Sequence, residues 1–265
     1  MHPLRQPLAP LRIRMAGGAY TIIDEHWAYP MHAPWWRIYR NREAGAWLDI
    51  KGRRLSLPAG RVIVVPPWCS ARSGCQGRIH HLFLHAQIEG QEAWLPAGLS
   101  PLILSESAEI NTIADRCEDP SAAPWWPDAL GRIALAHVFD ALPSAVRMRL
   151  RAALDGPDDL APAVELAQRQ LHLPLAVPDL AAACNMSEDS LARRFRHRLG
   201  CTPAAWLTRL RIGRAAEMLE SDDASIDHVA SHCGYTDRAA FSRAFARVMG
   251  LGPAAHRRQA RAWLP

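Results

Sequence analysis

The 265-residue chain has one lysine, Lys51, among its 31 basic residues, so arginine carries almost all of its positive charge. It has no CxxC pair, and its six scattered cysteines favour reduced thiols over a disulfide framework. No run approaches the roughly 20 apolar residues of a membrane-spanning helix, and the basic, proline-rich start lacks the apolar core of a secretory signal. These absences predict a cytoplasmic protein with no membrane partner.

Catalytic patterns are also missing. No set of residues has the arrangement of a general acid–base pair or an activated nucleophile, so we expect neither an enzyme nor a cofactor. The positive charge is concentrated near the end of the sequence. Residues 175–265 contain 13 arginines against 9 acidic residues, which places +4 of the total +5 there. That balance admits a polyanionic partner.

The organisation along the chain predicts an α+β protein of two domains, 1–156 and 157–265. Residues 20–105 contain short apolar runs broken by Lys51-Gly52 and Pro58-Ala59-Gly60, which is typical of an antiparallel barrel or sandwich. Residues 127–154 have helical spacing, with Pro143 dividing two helices. The stretch "DGPDD" (155–159) reads as a linker, so we place the boundary near 156, and everything after Leu160 reads as helices.

Two segments of the helical part repeat each other. "LARRF" (191–195) and "FSRAF" (241–245) have an arginine and a phenylalanine in the same places. Each begins an apolar series at i, i+4 and i+8 that forms one face of a helix. Each series ends at a glycine, followed three residues later by a proline, which predicts a left-handed helix end. The aligned pairs are Leu191 with Phe241, Arg193 with Arg243, Phe195 with Phe245, Leu199 with Met249, Gly200 with Gly250 and Pro203 with Pro253.

A shorter helix and a tight turn precede each repeated helix. Asn185 and Gly234, the residue types that best tolerate positive φ, occupy the turns, and Ser187 and Thr236 are placed to cap the longer helices. The pattern therefore predicts a helix-turn-helix built twice. A helix over 204–221, roughly 27 Å long, would join the two units.

The second helix of such a unit enters the DNA major groove, where arginine can bond guanine. A helical domain with merely solvated arginines is the plainer interpretation of one copy. Two copies with equivalent arginines favour DNA binding. The exposed faces of the two helices carry the candidate DNA-binding residues Asp189, Ala192, Arg193, Arg196, Arg238, Ala239, Ser242 and Arg243.

Residues 160–258 resemble the DNA-binding domain of the AraC/XylS family of bacterial transcriptional regulators. The segments that carry the resemblance are "LAAACNMSEDSLARRFRHRLGCTPAAWLTRLRIGRAAEML" and "SIDHVASHCGYTDRAAFSRAFARVMGLGPAAHRR". It implies seven helices, two helix-turn-helix units and a joining helix. The family's base-reading positions would fall on Asp189, Ala192 and Arg193, and on Arg238, Ala239 and Arg243. His256 stands where the family usually has a tyrosine, which predicts a local packing change.

The N-terminal half is similar to the small cupin-like β-barrel sensor of this family, through "LSLPAGRVIVVPP" and "HHLFLH". The resemblance implies an effector pocket inside the barrel and a homodimer formed through the helical segment at about 127–154. The partners expected for this protein are double-stranded promoter DNA and a small-molecule effector. RNA polymerase is a further candidate partner.

Aromatic and imidazole side chains supply the candidate ligand-binding residues: Trp35, Trp36, Trp47, His81 and His85. On a strand His81, Phe83 and His85 share one face, whereas His80 points the opposite way. Two imidazoles suggest a metal, but the HxH and glutamate of enzymatic cupins are missing from "RIYRNREAG", so we predict no metal site.

The sequence thus predicts a sequence-specific DNA-binding transcriptional regulator that responds to a small molecule. Two alternatives remain open at this point. One is a metal-dependent cupin enzyme with a helical appendage, and the other is a protein-interaction module without DNA function.

Overall fold

The computed structural model describes residues 12–28, 30–88, 91, 95–96, 98–155, 159–221 and 223–263. The strands within these residues are β1 Ile13–Ile23, β2 Pro30–Met31, β3 Trp36–Asn41, β4 Ala46–Ile50, β5 Arg53–Leu57, β6 Val62–Val65, β7 Ala71–Cys75, β8 Ile79–Ile88 and β9 Leu102–Ile103. The helices of the same ranges are α1 Ala108–Cys117, α2 Trp126–Ala141, α3 Ser144–Asp155, α4 Ala161–Gln170, α5 Val177–Ala183, α6 Glu188–Leu199, α7 Pro203–Ser221, α8 Ile226–His232, α9 Arg238–Met249 and α10 Pro253–Trp263. The boundary predicted near 156 lies outside the described residues.

The strands form two antiparallel sheets. One has the order β1-β8-β3-β6-β9 and the other β2-β7-β4-β5. A buried cluster that includes Tyr39, Leu48 and Ile63 contains side chains of both sheets. The β-rich domain therefore consists of two facing open sheets. The predicted turn at Lys51-Gly52 is present, with φ of 49° and 79°.

Three helices pack beside the five-stranded sheet. Leu130, Val138 and Leu150 share a buried core with Ile38 and Leu84 of that sheet. The division at Pro143 is as predicted, because Leu142 leaves the helical conformation with ψ of 147° before α3 begins. Two elements depart from expectation. β1 begins at Ile13, ahead of the β region predicted from residue 20, and the sequence did not indicate it because its apolar alternation is weak and it contains a double glycine. α1 precedes the helical segment predicted over 127–154.

In the described residues no single helix has the length and apolar character needed to cross a bilayer. The pair α2 and α3 meets that test together, with a bend of 119° between its members.

The second half consists of seven helices among the described residues, as the resemblance implies. The repeat is confirmed in three dimensions. Leu191 and Phe195 are fully buried in the core of the first unit, and Phe241 and Phe245 in that of the second. The two cores hold the α6 and α9 helices in equivalent settings.

The turns obey the sequence pattern, with one correction. Asn185 has φ of 53° and Gly234 of 76°. Ser187 caps α6 by accepting a hydrogen bond from the amide of Ser190 at 3.2 Å. The expectation that Thr236 caps α9 is wrong. Asp237 does so, because its two carboxylate oxygens accept from the amides of Ala239 and Ala240, each at 2.9 Å.

The two halves of the chain share a core. Ala33 and Trp35, which precede β3, are buried among residues of α7, α8 and α9. Gly213 on α7 lies so close to Pro34 that a Cβ atom there would be 3.1 Å from the proline Cβ. The segment that leads into β3 therefore packs directly on the second helix-turn-helix unit.

Gly234→Ala should destabilise the protein more than Gly200→Ala. Both residues have positive φ, which costs a non-glycine residue about 1–2 kcal/mol. A Cβ at Gly234 would also lie 2.5 Å from the carbonyl oxygen of Leu171, whereas nothing lies within 4 Å of one at Gly200. The midpoint of urea unfolding, followed by far-UV circular dichroism, measures the difference. An equal decrease of the urea midpoint in both variants would contradict this account of the turn.

Candidate nucleic-acid interface and ligand cavity

The candidate residues of α6 lie on one outward side of that helix. Asp189, Arg193 and Arg196 are exposed and Ala192 is half-buried. The guanidinium of Arg193 donates to the hydroxyl of Ser190 at 3.3 Å. This single neutral contact leaves most of its donors free to meet a partner outside the protein.

The candidate residues of α9 have a similar setting. Arg238, Ala239 and Arg243 are exposed and Ser242 is half-buried. Arg238 forms a 2.9 Å ion pair with Asp227 of α8, and Arg243 lies 3.9 Å from the capping carboxylate of Asp237. Both pairs are exposed to solvent, where such contacts are weak and are readily exchanged for phosphate or base contacts.

A neighbouring arginine on α6 has a different environment. Arg194 forms a 3.0 Å ion pair with Asp159, which also accepts from Arg198 at 2.7 Å. Those two arginines therefore tie α6 to the residues before α4. Arg194 is exposed like Arg193 and Arg196, and it differs from them in having its guanidinium paired with a carboxylate outside α6.

A cavity of about 300 Å³ lies at the inner face of the five-stranded sheet. Its walls on the β side come from β1, β2, β3, β8 and the segment before β3, and helices α7 and α10 complete it. Its aromatic lining residues are Trp27, Trp35, Tyr39 and Phe83. A volume of this size is at the lower end of the range for small-molecule pockets, roughly 300–1,000 Å³.

Three predicted ligand-binding residues lie in this cavity. Trp35, His81 and His85 line it, and His80 points the other way, toward Glu43. Burial lowers the pKa of His81 to about 3 and that of His85 to about 3, so both imidazoles are neutral near pH 7. Nδ1 of His81 lies 2.7 Å from the side-chain oxygen of Asn41, which orients the ring.

The other two predicted residues lie elsewhere, so the expectation for them is corrected. Trp36 and Arg37 are successive residues of β3, so their side chains point to opposite faces of the sheet. Trp36 packs in the core beneath the helices, where its indole donates to the side-chain oxygen of Gln91 at 2.9 Å. Trp47 is not among the cavity-lining residues. The guanidinium of Arg54 covers its ring at 4.2 Å.

An ion pair between the two halves, Arg14 with Glu217, borders the cavity. Glu217 of α7 lies 3.1 Å from Arg14 of β1 and 3.1 Å from Arg214 of its own helix. His256 of α10 lies 3.0 Å from Glu220 and packs edge-on against Phe245 at 5.4 Å. His256, at which the sequence predicted a packing change, thus faces both the cavity and the core of the second unit.

Sequence reasoning missed Arg37, which also lines the cavity. It is 2% exposed, and its guanidinium donates to the carbonyl of Cys69 at 2.8 Å. The only sequence signal for its burial was its place in "WRIYR", two residues before Tyr39 and so on the same inward face of the strand. That signal was insufficient, because an arginine at this place is equally compatible with an exposed position at the edge of a sheet.

The geometry around the histidines is unlike a metal centre. Within the described residues the only cluster of three His, Cys, Asp or Glu ligand atoms close enough to share an ion is Asp24, Glu25 and His26, outside the cavity. In the part of the chain that the structure describes, no carboxylate or thiol is positioned with His81 and His85 as a third ligand.

Comparisons with known proteins match the C-terminal half. Residues 180–259 match a helix-turn-helix domain family. The MmsAB operon regulatory protein of Pseudomonas aeruginosa is 37% identical over 112 residues, which cover 42% of this chain and 36% of that protein. A putative AraC-like transcription regulator of Streptomyces lividans is 34% identical over 147 residues, which cover 52% of this chain and 46% of that protein. The helical domain belongs to the AraC/XylS family. The matched part spans less than half the length of each of these relatives.

A solved structure also matches most of this chain in fold. The crystal structure of ToxT from Vibrio cholerae matches with a TM-score of 0.64 and covers 92% of this chain and 97% of that one. The sequences are 11% identical, so the likeness concerns the fold alone. It shows the same order of a β-rich domain followed by a helical domain.

The buried histidines predict a pH dependence of stability. The pKa of His81 is about 3 in the folded protein and about 6.5 in the unfolded chain. Between these two pH values the unfolded chain therefore binds one more proton than the folded protein. Stability should therefore fall as pH decreases from about 6.5. His81→Gln should reduce that slope by up to about 1.4 kcal/mol per pH unit. Urea unfolding at several pH values between 7 and 5 measures it.

Phe83→Leu is the matched control, since it alters the same cavity wall without removing a titratable group. An unchanged slope in His81→Gln would show that this imidazole has the same pKa in the folded and unfolded protein, which would contradict the lowering of its pKa by burial.

Proposed function

We propose that this protein is a transcriptional regulator that binds promoter DNA with α6 and α9 in two successive major grooves. The observation that carries the proposal is the pair of exposed arginines, Arg193 and Arg243, at equivalent places on two helices of 12 residues that both end at a left-handed glycine. The named relatives are regulators of transcription, which supports the same conclusion. Action on promoters places the protein in the cytoplasm.

The joining helix supports simultaneous reading of two sites. α7 has 19 residues and so spans roughly 28 Å, somewhat less than the 34–36 Å of one DNA turn. It is buried at one end in the core of the first unit and at the other in that of the second. A rigid connection of this length favours two base-pair blocks on one face of DNA.

The cavity is the proposed effector site. It is bounded by both domains, so a molecule within it contacts α7 and α10 as well as the sheet. Trp35 contributes both to its wall and to the core of the second unit. Ligand binding would thus favour one packing of the α9 unit over another and shift the population that binds DNA.

Further partners belong to the same proposal. Trp125, next to the start of α2, and Met148 on α3 are 65% and 66% exposed, which supports dimerisation through this segment. RNA polymerase is a partner if the protein activates transcription. The rival metal-dependent enzyme has less support, since among the described residues His81 and His85 do not belong to a cluster of possible metal ligands.

In vitro selection from random DNA by the full-length protein, at near-physiological salt, tests the proposal. We expect enrichment of two short blocks about ten base pairs apart. Binding without enrichment that simply weakens as salt rises would contradict sequence-specific reading.

Arg193→Ala should relax specificity within one selected block and Arg243→Ala within the other. Each lost guanine contact should cost about 1–3 kcal/mol, or roughly 5- to 150-fold in affinity for the preferred base. Titration of matched and mismatched duplexes measures the change. Arg194→Ala is the control on the same helix, because its guanidinium is held by Asp159. A similar relaxation in the control would contradict the assignment.

A further inference from the structure

The two helix-turn-helix units contact each other at a second place besides α7. Residues 171–175, between α4 and α5, belong to the first unit, because Leu171 and Leu175 pack in its core. The turn of the second unit lies against this segment. A Cβ atom at Gly234 would be 2.5 Å from the carbonyl oxygen of Leu171 and 2.9 Å from that of Leu173. The backbones of the two units therefore meet directly.

Arg211 of α7 lies at this contact and bonds the first unit. Its Nη2 atom donates to the carbonyl oxygen of Leu173 at 2.9 Å and to that of Leu175 at 3.1 Å. The side chain is half-buried, and the two bonds fix the orientation of the planar guanidinium. The same nitrogen would lie 2.9 Å from a Cβ atom at Gly234. The guanidinium therefore lies between the segment 171–175 and the turn of the second unit.

Arg211 also contacts the second unit. Its Cζ atom lies 5.9 Å from the centre of the Tyr235 ring, within the range of a cation–π contact. Tyr235 in turn packs edge-on against Phe241 of α9 at 5.3 Å. On the side of the first unit, Leu175 precedes α5 by two residues, and α5 shares a buried core with α6. A continuous series of contacts thus runs from the α6 unit through Arg211 to α9.

The relative orientation of α6 and α9 decides which spacing of two base-pair blocks both helices can reach. One base pair added between the blocks moves the second block about 3.4 Å along the DNA axis and rotates it by about 34–36°. Two linked readers gain affinity from each other only when their geometry matches the spacing of their sites. A contact beside α7 opposes rotation of one unit relative to the other, which a single joining helix does not. The contact at Arg211 therefore bears on spacing.

We propose that Arg211 is a positioning residue that fixes the angle between α6 and α9 and thereby determines which spacing of the two base-pair blocks the protein accepts. The inference rests on the proposed function, because it requires both helices to bind DNA. Arg211 acts through the segment 171–175 and through Tyr235, without contacting a base or a phosphate. It therefore affects the coupling between the two blocks and leaves the reading of each single block unchanged.

Titration of labelled duplexes with the full-length protein, followed by fluorescence anisotropy at near-physiological salt, tests the inference. One duplex carries both selected blocks at the selected spacing, two have one base pair inserted or removed between the blocks, and two carry a single block. In the wild type a change of one base pair should weaken binding by about tenfold or more, because rigidly linked readers cannot follow it. In Arg211→Met the same change should weaken binding by about threefold or less, while the affinity for each single block stays within about twofold of the wild type.

Either of two results with folded Arg211→Met overturns the inference. A penalty for altered spacing as large as that of the wild type shows that Arg211 does not set the spacing. A weakening on the single-block duplexes as large as that on the two-block duplex shows that Arg211 acts on the reading of DNA itself. The midpoint of urea unfolding shows whether each variant is folded.

Arg169→Met is the matched control. It also removes an arginine from the helical domain, on the helix that precedes the segment 171–175, but Arg169 pairs with Glu165 of its own helix at 2.8 Å. It should retain the full spacing penalty, and a penalty reduced as far as in Arg211→Met overturns the inference. Arg211→Lys should have an intermediate penalty, because an ammonium still donates to carbonyl oxygens but lacks the planar fork. If Arg211→Met does not fold, an undiminished penalty in Arg211→Lys overturns the inference.

The two proposals fail separately. A wild type that selects two blocks and accepts every spacing equally retains the proposed function and overturns the role of Arg211. A wild type that selects no sequence contradicts both. A spacing preference that is lost in Arg211→Met and kept in Arg169→Met supports both.

Discussion

The packing of α7 is the constraint on which the rest of the molecule depends. Trp206 and Leu207 at its start are buried in the core of the first helix-turn-helix unit, while Ile212 and Leu219 are buried in that of the second. On a third side Glu217 bonds Arg14 of the β domain. Because α7 packs in both helix-turn-helix units and also bonds the β domain, the orientations of α6 and α9 are coupled to each other and to the sheet.

This arrangement places the cavity where the domains meet. A ligand inside a barrel that was closed at both ends could act on DNA binding only through distant changes of shape. Here the helical domain itself forms part of the wall, and Trp35 belongs both to that wall and to the core behind α9. Differential contacts in two packings are what a ligand needs to shift a conformational equilibrium, and under the proposed function Trp35 would provide them.

The repeat was predictable because it is local. Apolar residues at i, i+4 and i+8, a glycine at the helix end and a turn residue before each cap define the units without knowledge of their neighbours. The cap of α9 shows the limit of such reasoning, since Thr236 and Asp237 are both capping residue types and only the structure shows which side chain reaches the amides. β1 was missed because its strand conformation comes from pairing with β8, which is distant in sequence.

The sequence by itself determined the AraC/XylS-type helical domain, its two candidate recognition helices and the exposed face of each, because helical periodicity and capping act over a few residues. Only the tertiary structure decided which side chains share the cavity. Arg37 faces His85 through the pairing of strands about fifty residues apart, and Trp36, its neighbour, faces the opposite core. Whether a buried arginine has a counter-charge depends on every element packed around it, and no local pattern carries that information.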